Sequence, residues 1–264
     1  MKRETLAGFV ERLQGVAHYT FTKEEAQQAT GLRANGFKVA AWRLEQAKRI
    51  VSVRRGFYVI VPIEYRAGGI LPPDWFINDL MKFLGQPYYV GLLSAAELHG
   101  AAHQRPQAFH VVTSKPTREA EAAGLRIRFF KKANVAATPQ VKKRSFTGDI
   151  AVSSPAATAL DLVAYERSVG GLDRVLTVLQ ELSESIEPNG LVEAVKADGR
   201  LPYIQRLGWL LDKAGHQTLT GKLHKWLGQQ KTKPGALAPS LPIKGHPHDP
   251  KWRVIVNTEV ESDL

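Results

Sequence analysis

The chain has 264 residues, 44% of them hydrophobic, enough to bury a core in one large domain or two smaller ones. It has no cysteine, which excludes disulfides, thiolate metal sites and a cysteine nucleophile. Its net charge of +11 favours phosphate-rich partners, nucleic acid foremost.

In chain order, Leu6, Phe9, Val10, Leu13 and Val16 recur at helical spacing and predict a first helix. A second starts at Thr22, whose side chain and that of Glu25 form a capping box, and it stops near Gly31. A third places Phe37, Ala40, Ala41, Leu44 and Ala47 on one face at 100° per residue. Its opposite face carries Asn35, Lys38, Val39, Trp42 and Gln46, with Arg43 on the flank. Gly36 costs a helix about 1 kcal/mol relative to alanine, so a start at or after Gly36, with Asn35 as N-cap, stays open. Two β-rich runs, Ile50 to Val53 and Phe57 to Val61, flank Arg54-Arg55-Gly56 and predict a hairpin with both arginines at its tip. Gly56 is expected at positive φ there.

Pro62 to Pro73, with Gly68, Gly69 and Pro72, predicts a linker. Beyond it the pattern is mixed. Helices are expected at 74–84 and from Ser94, capped with Glu97, to Gly100. Strands are expected at 88–90, 109–112, 125–130 and 150–152. From Ser154-Pro155 onward helices dominate, at about 155–166, 172–184, 189–197, 202–214 and 219–228. Residues 231–250 read as irregular, and Trp252 to Val260 as a closing strand. The fold class is therefore α+β: a winged helix-turn-helix at 1–62, a linker at 63–73 and a larger mixed α/β domain at 74–264.

The basic excess is uneven: net +5 over residues 1–65, +6 over 66–150, −3 over 151–220 and +3 over 221–264. Helix, helix, turn, helix and a basic-tipped hairpin is the order of a DNA-binding winged helix. The outward face of the third helix carries what a major groove can use. Asn35 suits adenine, Arg43 guanine, and Val39 a thymine methyl. An exposed Trp42 beside Gln46 is unusual for a merely solvated face. Arg33 and Lys38 suit phosphates, which fix register without reading sequence. Arg54 and Arg55 would reach phosphates or a minor groove, with Phe57 and Val59 packed inward beneath them. The competing readings are a basic helical domain or a protein-binding winged helix.

The run from Thr30-Gly31-Leu32 through Arg49-Ile50-Val51 to Arg54-Arg55-Gly56-Phe57-Tyr58 resembles the N-terminal domain of AbiEi-type antitoxins, regulators of type IV toxin–antitoxin systems. The likeness continues in Tyr89 to Ala96, Leu98-His99-Gly100, Ser154 to Leu162, Arg206-Leu207-Gly208 and Trp252 to Asn257, and so covers nearly the whole chain. The resemblance implies a winged helix that binds inverted repeats in its own promoter and represses the operon. It implies a larger C-terminal domain that counteracts a nucleotidyltransferase toxin without a stable complex. Two alternatives stand beside it: an enzyme acting on nucleic acid or nucleotides, and a module that binds the toxin directly.

Other chemistry is weaker. His99 and His103 are four apart, but Gly100 stands where a zinc hydrolase helix carries glutamate. His246-Pro-His248-Asp249 lacks a further ligand in sequence. Gly215 to Lys222 has five residues between its glycines and Leu223 after the lysine, which rules out a phosphate loop. Asp249-Pro-Lys251 and Glu259-Val-Glu261 lack the strand context of a two-metal nuclease. Arg126 and Arg128 alternate as on the solvent side of a sheet, while Lys131-Lys132 and Lys142-Lys143-Arg144 suit solvated loops or phosphates. No cofactor, metal or enzymatic activity is expected. No apolar run follows Met1, and no window nears the roughly 20 apolar residues of a membrane span, so a cytoplasmic protein without a signal peptide is expected.

Overall fold

In the computed structural model, residues 4–101 and 106–262 are described. They form eleven α-helices and twelve strands in a mixed α+β fold. The order opens α1 (Leu6–Gly15), β1 (Thr20–Thr22), α2 (Lys23–Thr30), α3 (Ala34–Gln46), β2 (Ile50–Arg54) and β3 (Phe57–Ile60). After 3-10 turns at Ile63–Tyr65 and Pro73–Trp75 come α4 (Ile77–Leu84), β4 (Tyr88–Val90) and α5 (Leu92–Leu98). Next are β5 (Phe109–Thr113), β6 (Ala120–Ala122), β7 (Leu125–Lys131), β8 (Gln140–Ser145) and β9 (Gly148–Ser153). The helical part holds α6 (Pro155–Ala164), α7 (Glu166–Val169), α8 (Gly171–Leu182), α9 (Pro188–Asp198), α10 (Leu201–Lys213) and α11 (Gln217–Gly228). Three two-residue strands close the order: β10 (Gly235–Ala236), β11 (His248–Asp249) and β12 (Val254–Ile255).

The chain divides into two compact units, each discontinuous in sequence. One takes residues 1–88, 107–132 and 142–150; the other takes 89–106, 133–141 and 151–264. Residues 63–73, expected as a linker, lie within the first unit, where Leu71 and Pro73 are buried.

The first unit begins with capped helices. Thr5 accepts the Gly8 amide at 3.1 Å at the start of α1. At α2 the Glu25 amide donates to Thr22 Oγ1 (3.2 Å), and the Thr22 amide donates to Glu25 Oε2 (2.7 Å). This is the expected capping box, and it satisfies two of the amides a helix start leaves open. Gly31 then ends α2 at φ +70°, a left-handed turn that favours glycine. Strands β1, β3 and β2 form a sheet in that order, with β3 antiparallel to both neighbours. The edge strand β1 was not foreseen; its last residue, Thr22, reads in sequence as the cap of the helix that follows. Leu6, Phe9, Val10, Phe21, Ala26, Phe37, Ala41, Leu44, Ile50 and Ile60 form one core beneath the helices. Within it Phe21 stacks on Tyr58 at 5.2 Å, and Phe9 and Phe37 meet that pair edge-on at 5.6 Å each. Thr20 Oγ1 donates to Asp79 Oδ2 at 2.7 Å, tying β1 to α4. Further along, β7 pairs in parallel with β5 and antiparallel with β6.

In the second unit β4 pairs in parallel with β9 at Val90 and Val152. α5 begins at Leu92, with Gly91 as its N-cap. Ser94, expected as the cap, is instead buried inside that helix. Ser154 caps α6 by accepting the Ala157 amide (3.3 Å), with Pro155 at the first helical position, where its missing amide costs nothing.

The closing strand is shorter than expected. Only Val254–Ile255 is extended, and Trp252 sits in a turn. The physical reason is packing. Trp252 is fully buried against Gly208 of α10, where a Cβ would meet the indole at 2.2 Å. Its Nε1 donates to Asp212 Oδ2 (2.6 Å), which also takes Lys251 Nζ (2.5 Å), while Thr220 donates to Oδ1 (2.7 Å). Burial opposes ionisation of Asp212, but the bonds from Lys251, Trp252 and Thr220 outweigh it and hold the carboxyl below its ordinary range.

Gly208→Ala is expected to destabilise the protein by about 3 kcal/mol, because the indole has no room to retreat. Gly221→Ala, in α11 with open space at its Cβ, is expected to stabilise it by about 0.5–1 kcal/mol. Urea denaturation of the two variants checks the opposite signs. The Asp212 carboxylate contributes stability above the ordinary carboxylate pKa, and that contribution is lost as pH falls through its lowered folded value. Thermal midpoints across that acid range should therefore fall more steeply for the wild type than for Asp212→Asn, which starts lower at neutral pH.

Candidate nucleic-acid interface

The site is built on α3. The helix starts at Ala34 with Arg33 as its N-cap, and runs through Gly36. Of the two starts left open, Asn35 as N-cap is therefore excluded; Asn35 is the second helical residue and is exposed. Phe37, Ala41 and Leu44 face the core. Arg33, Asn35, Lys38, Val39, Trp42, Arg43 and Gln46 are all exposed, Val39 at 51% and Trp42 at 58%. Among the described residues, the side chains of Arg33, Lys38 and Arg43 make no ion pair and no hydrogen bond. The single acid of α3, Glu45, is half-buried on its flank, and that burial raises its carboxyl above the usual range. A shallow groove beside the helix is lined by Leu6, Thr30, Leu32, Val39 and Arg43.

The hairpin follows. Phe57 and Val59 are buried, as the sequence predicts, and Gly56 turns at φ +89°. The two arginines do not behave alike. Arg55 is exposed in the turn, while Arg54 ends β2 and is half-buried. The ladder slips between Ser52 and Arg54, leaving Val53 as an extra residue and bringing Arg54 opposite Phe57. Such a bulge re-aims the side chain that follows it. Arg54 lies over the Phe129 ring at 5.6 Å, and its Nε and Nη2 are buried without a hydrogen-bond partner.

Three other arginines of the first unit are paired with carboxylates. Arg126 pairs with Glu121 (3.7 Å), Arg128 with Glu119 (2.8 Å) and Arg144 with Asp149 (3.4 Å). Lys132 is buried. Sequence reasoning did not single out Phe129 as a partner of Arg54; a phenylalanine inside a strand carries no local signal.

The residues set aside on chemical grounds have structural partners. His99 Nε2 hydrogen-bonds the Ser153 carbonyl at 2.8 Å, and His103 lies outside the described residues. His246 and His248 are exposed. Asp249 accepts the Trp252 amide at 2.9 Å. Among the described residues no three of His, Asp and Glu converge as a metal set.

The architecture so far is that of an α+β protein with an exposed, cationic helix face in its N-terminal part. Residues 89–213, just under half of the chain, match the family model of the AbiEi antitoxin C-terminal domain. The role that goes with the domain is that of antitoxin in a toxin–antitoxin system, which implies a toxin as partner. Among solved structures, RV2827C protein from Mycobacterium tuberculosis is similar, at a TM-score of 0.65 and 15% identity. The alignment covers 99% of this chain and 93% of that one, and it supports a shared fold. No curated protein matches the sequence. No helix of the described residues is long and apolar enough to cross a membrane.

Phe37→Ala is expected to cost about 3–5 kcal/mol of stability, since the ring is buried against Tyr58. Trp42→Ala, on the opposite face, should change stability by less than about 0.5 kcal/mol. Chemical denaturation of the two variants tests that division of the helix.

Proposed function

We propose that residues 1–62 form a winged helix-turn-helix that binds inverted repeats in the promoter of the chain's own toxin–antitoxin operon and represses it. Residues 63–73 connect it to an antitoxin part, residues 74–264. The observation that carries the reading is the outward face of α3. It holds three cations without ion-pair or hydrogen-bond partners among the described residues, two amide side chains and two exposed apolar side chains.

A helix of this length fits the major groove, where each base pair presents its own donor and acceptor pattern. Arg43 would take guanine by two parallel hydrogen bonds, Asn35 and Gln46 adenine, and Val39 and Trp42 the apolar thymine methyl. Arg33 and Lys38 flank that row and would hold phosphates. Arg55, exposed at the hairpin turn, would meet the backbone beside the groove. The likeness to AbiEi antitoxins further supports a nucleotidyltransferase as the toxin, counteracted without a stable complex, in the cytoplasm and with no enzymatic activity of the antitoxin itself.

Fluorescence anisotropy with promoter duplexes tests the reading. Arg43→Ala should cost about 1–3 kcal/mol and relax discrimination at one base pair. Lys38→Ala should weaken binding alike on all sequences and make the slope of log affinity against log salt shallower by about 0.9. Equal affinity and equal discrimination in wild type and Arg43→Ala would overturn it.

A further inference from the structure

Four aromatic rings of the first unit meet around Trp75. Phe146 stacks on the indole, with centroids 4.1 Å apart and planes 9° from parallel. Tyr65 (5.2 Å) and Tyr19 (5.5 Å) close on the same indole at steeper angles, and Tyr19 also lies 6.2 Å from Phe146. Tyr19, Tyr65 and Trp75 are half-buried, but Phe146 is 62% exposed. It stands in the turn between β8 and β9, a place where small polar residues and glycine are the usual choice. Thr147 Oγ1 donates to the Trp75 carbonyl at 2.6 Å and ties that turn to the 3-10 turn behind it. Among the described residues no ring other than Trp75 and Tyr19 approaches Phe146. The ring is therefore braced on one face and open on the other.

The strand that leads to it is cationic. Alternation along β8 puts Lys142 and Arg144 on one side, and residue 146 is next in that series. Both side chains are exposed. Lys142 makes no ion pair and no side-chain hydrogen bond among the described residues. Arg144 has Asp149 at 3.4 Å, with the two side chains 79% and 47% exposed, a pair weak enough for a polyanion to displace. From Ala122 to Gly148 the sequence holds no acidic residue. An open aromatic face beside a row of cations matches the chemistry of a nucleotide strand, whose bases stack and whose phosphates pair with lysine and arginine. A duplex keeps its bases stacked on one another, so the strand that fits is a single one.

We propose that Phe146, braced by Trp75, is a stacking platform for an unpaired nucleobase, and that Lys142 and Arg144 hold phosphates of the same strand. The ligand class is single-stranded nucleic acid, RNA or DNA. None of these residues lies on α3 or in the β2–β3 turn, so the platform does not depend on the promoter reading.

Fluorescence anisotropy of the full chain with labelled oligo-U and oligo-dT of about twelve nucleotides tests it. The wild type should bind at least one of the two. Phe146→Ala should weaken that binding roughly five- to hundredfold, and Phe146→Trp should keep it. Lys142→Ala should make the slope of log affinity against log salt shallower by about 0.7. Ile63, in the same 3-10 turn as Tyr65, is 69% exposed, and Ile63→Ser should leave strand affinity unchanged. In NMR spectra the Phe146 ring protons should move upfield as the strand is added, the mark of a base lying on that face. Binding of oligo-U alone makes the ligand RNA, and of oligo-dT alone a DNA strand; either supports the platform. It is overturned if neither strand binds, if Phe146→Ala binds as well as the wild type, or if the strand binds with the Phe146 signals unmoved. An equal loss in Arg43→Ala and Phe146→Ala would place the strand on α3 and overturn it too. If neither strand binds and a purified toxin is instead lost from both Phe146→Ala and Ile63→Ser, the patch docks a protein and the platform fails.

Discussion

The aromatic group Phe9, Phe21, Tyr58 and Phe37 is the contact on which the N-terminal architecture depends. Phe21 and Tyr58 come from paired strands, and their register sets the two rings face to face. Phe9 from α1 and Phe37 from α3 close against them edge-on. Edge-to-face packing suits the ring quadrupole and orients each helix as well as burying it. With Phe37 inward, the helical period places Ala41 and Leu44 inward too. Small Ala41 lets α3 approach closely. What remains outward is then chosen free of any folding demand, and at those positions the chain carries Trp42 and Val39 beside three cations. Leaving that much apolar surface in water forgoes about 25 cal/mol for each Å² that could have been buried. A fold gains nothing from it, and it is this surface that the proposed duplex would cover.

The second unit spends its distinctive residues differently. Gly208 exists for Trp252, since any side chain there would enter the indole. Asp212 joins the same tryptophan, Lys251 and Thr220. Asn257 closes another loop, donating to the carbonyls of Ala238 (2.9 Å) and Leu241 (3.1 Å) and accepting the Ala238 amide (2.9 Å). His99 ties α5 to the Ser153 carbonyl, and Tyr89 donates to buried Asp161 at 2.7 Å. Many of the residues that carry the resemblance to AbiEi antitoxins are thus internal fasteners. They specify a shape.

What could be read from sequence follows from the range of each signal. Capping at Thr22 and Gly31, and the helix start at Pro155, were legible because they need only three or four neighbouring residues. The division of α3 into faces was legible because thirteen residues give more than three turns of period. β1 and β6 were not legible, because Thr22 reads as a helix cap and Ala120-Glu121-Ala122 holds no β-branched or aromatic residue, and β8 was not, because Lys142, Lys143 and Arg144 give it no apolar alternation. Ser94 looked like a cap because the box Ser-x-x-Glu was present; the helix begins two residues earlier, and Ser94 went to the interior. Arg54 and Arg55 looked equivalent at a hairpin tip. The bulge at Val53 separates them, and nothing within the hairpin sequence announces Phe129 as a partner. Tertiary partners distant in sequence decided each of the failures.

The same reasoning corrects the use of net charge. Residues 66–150 carry more positive charge than residues 1–65, net +6 against +5, yet three of the arginines there are paired with carboxylates. In the N-terminal part, Arg12 and Arg49 are likewise spent on Glu4 (3.1 Å) and Glu11 (3.0 Å). Exposed pairs of this kind contribute little to stability, but they lower the field that a phosphate meets. Among the described residues, Arg33 at the start of α3, Lys38 and Arg43 on it, and Arg55 in the hairpin are cations without a carboxylate partner, and exposed cations of that kind release counterions when a polyanion arrives. Which arginines are unpaired therefore says more about a partner than how many there are, and it requires a structure because pairings such as Arg49–Glu11 and Arg206–Glu166 join residues about forty positions apart in sequence.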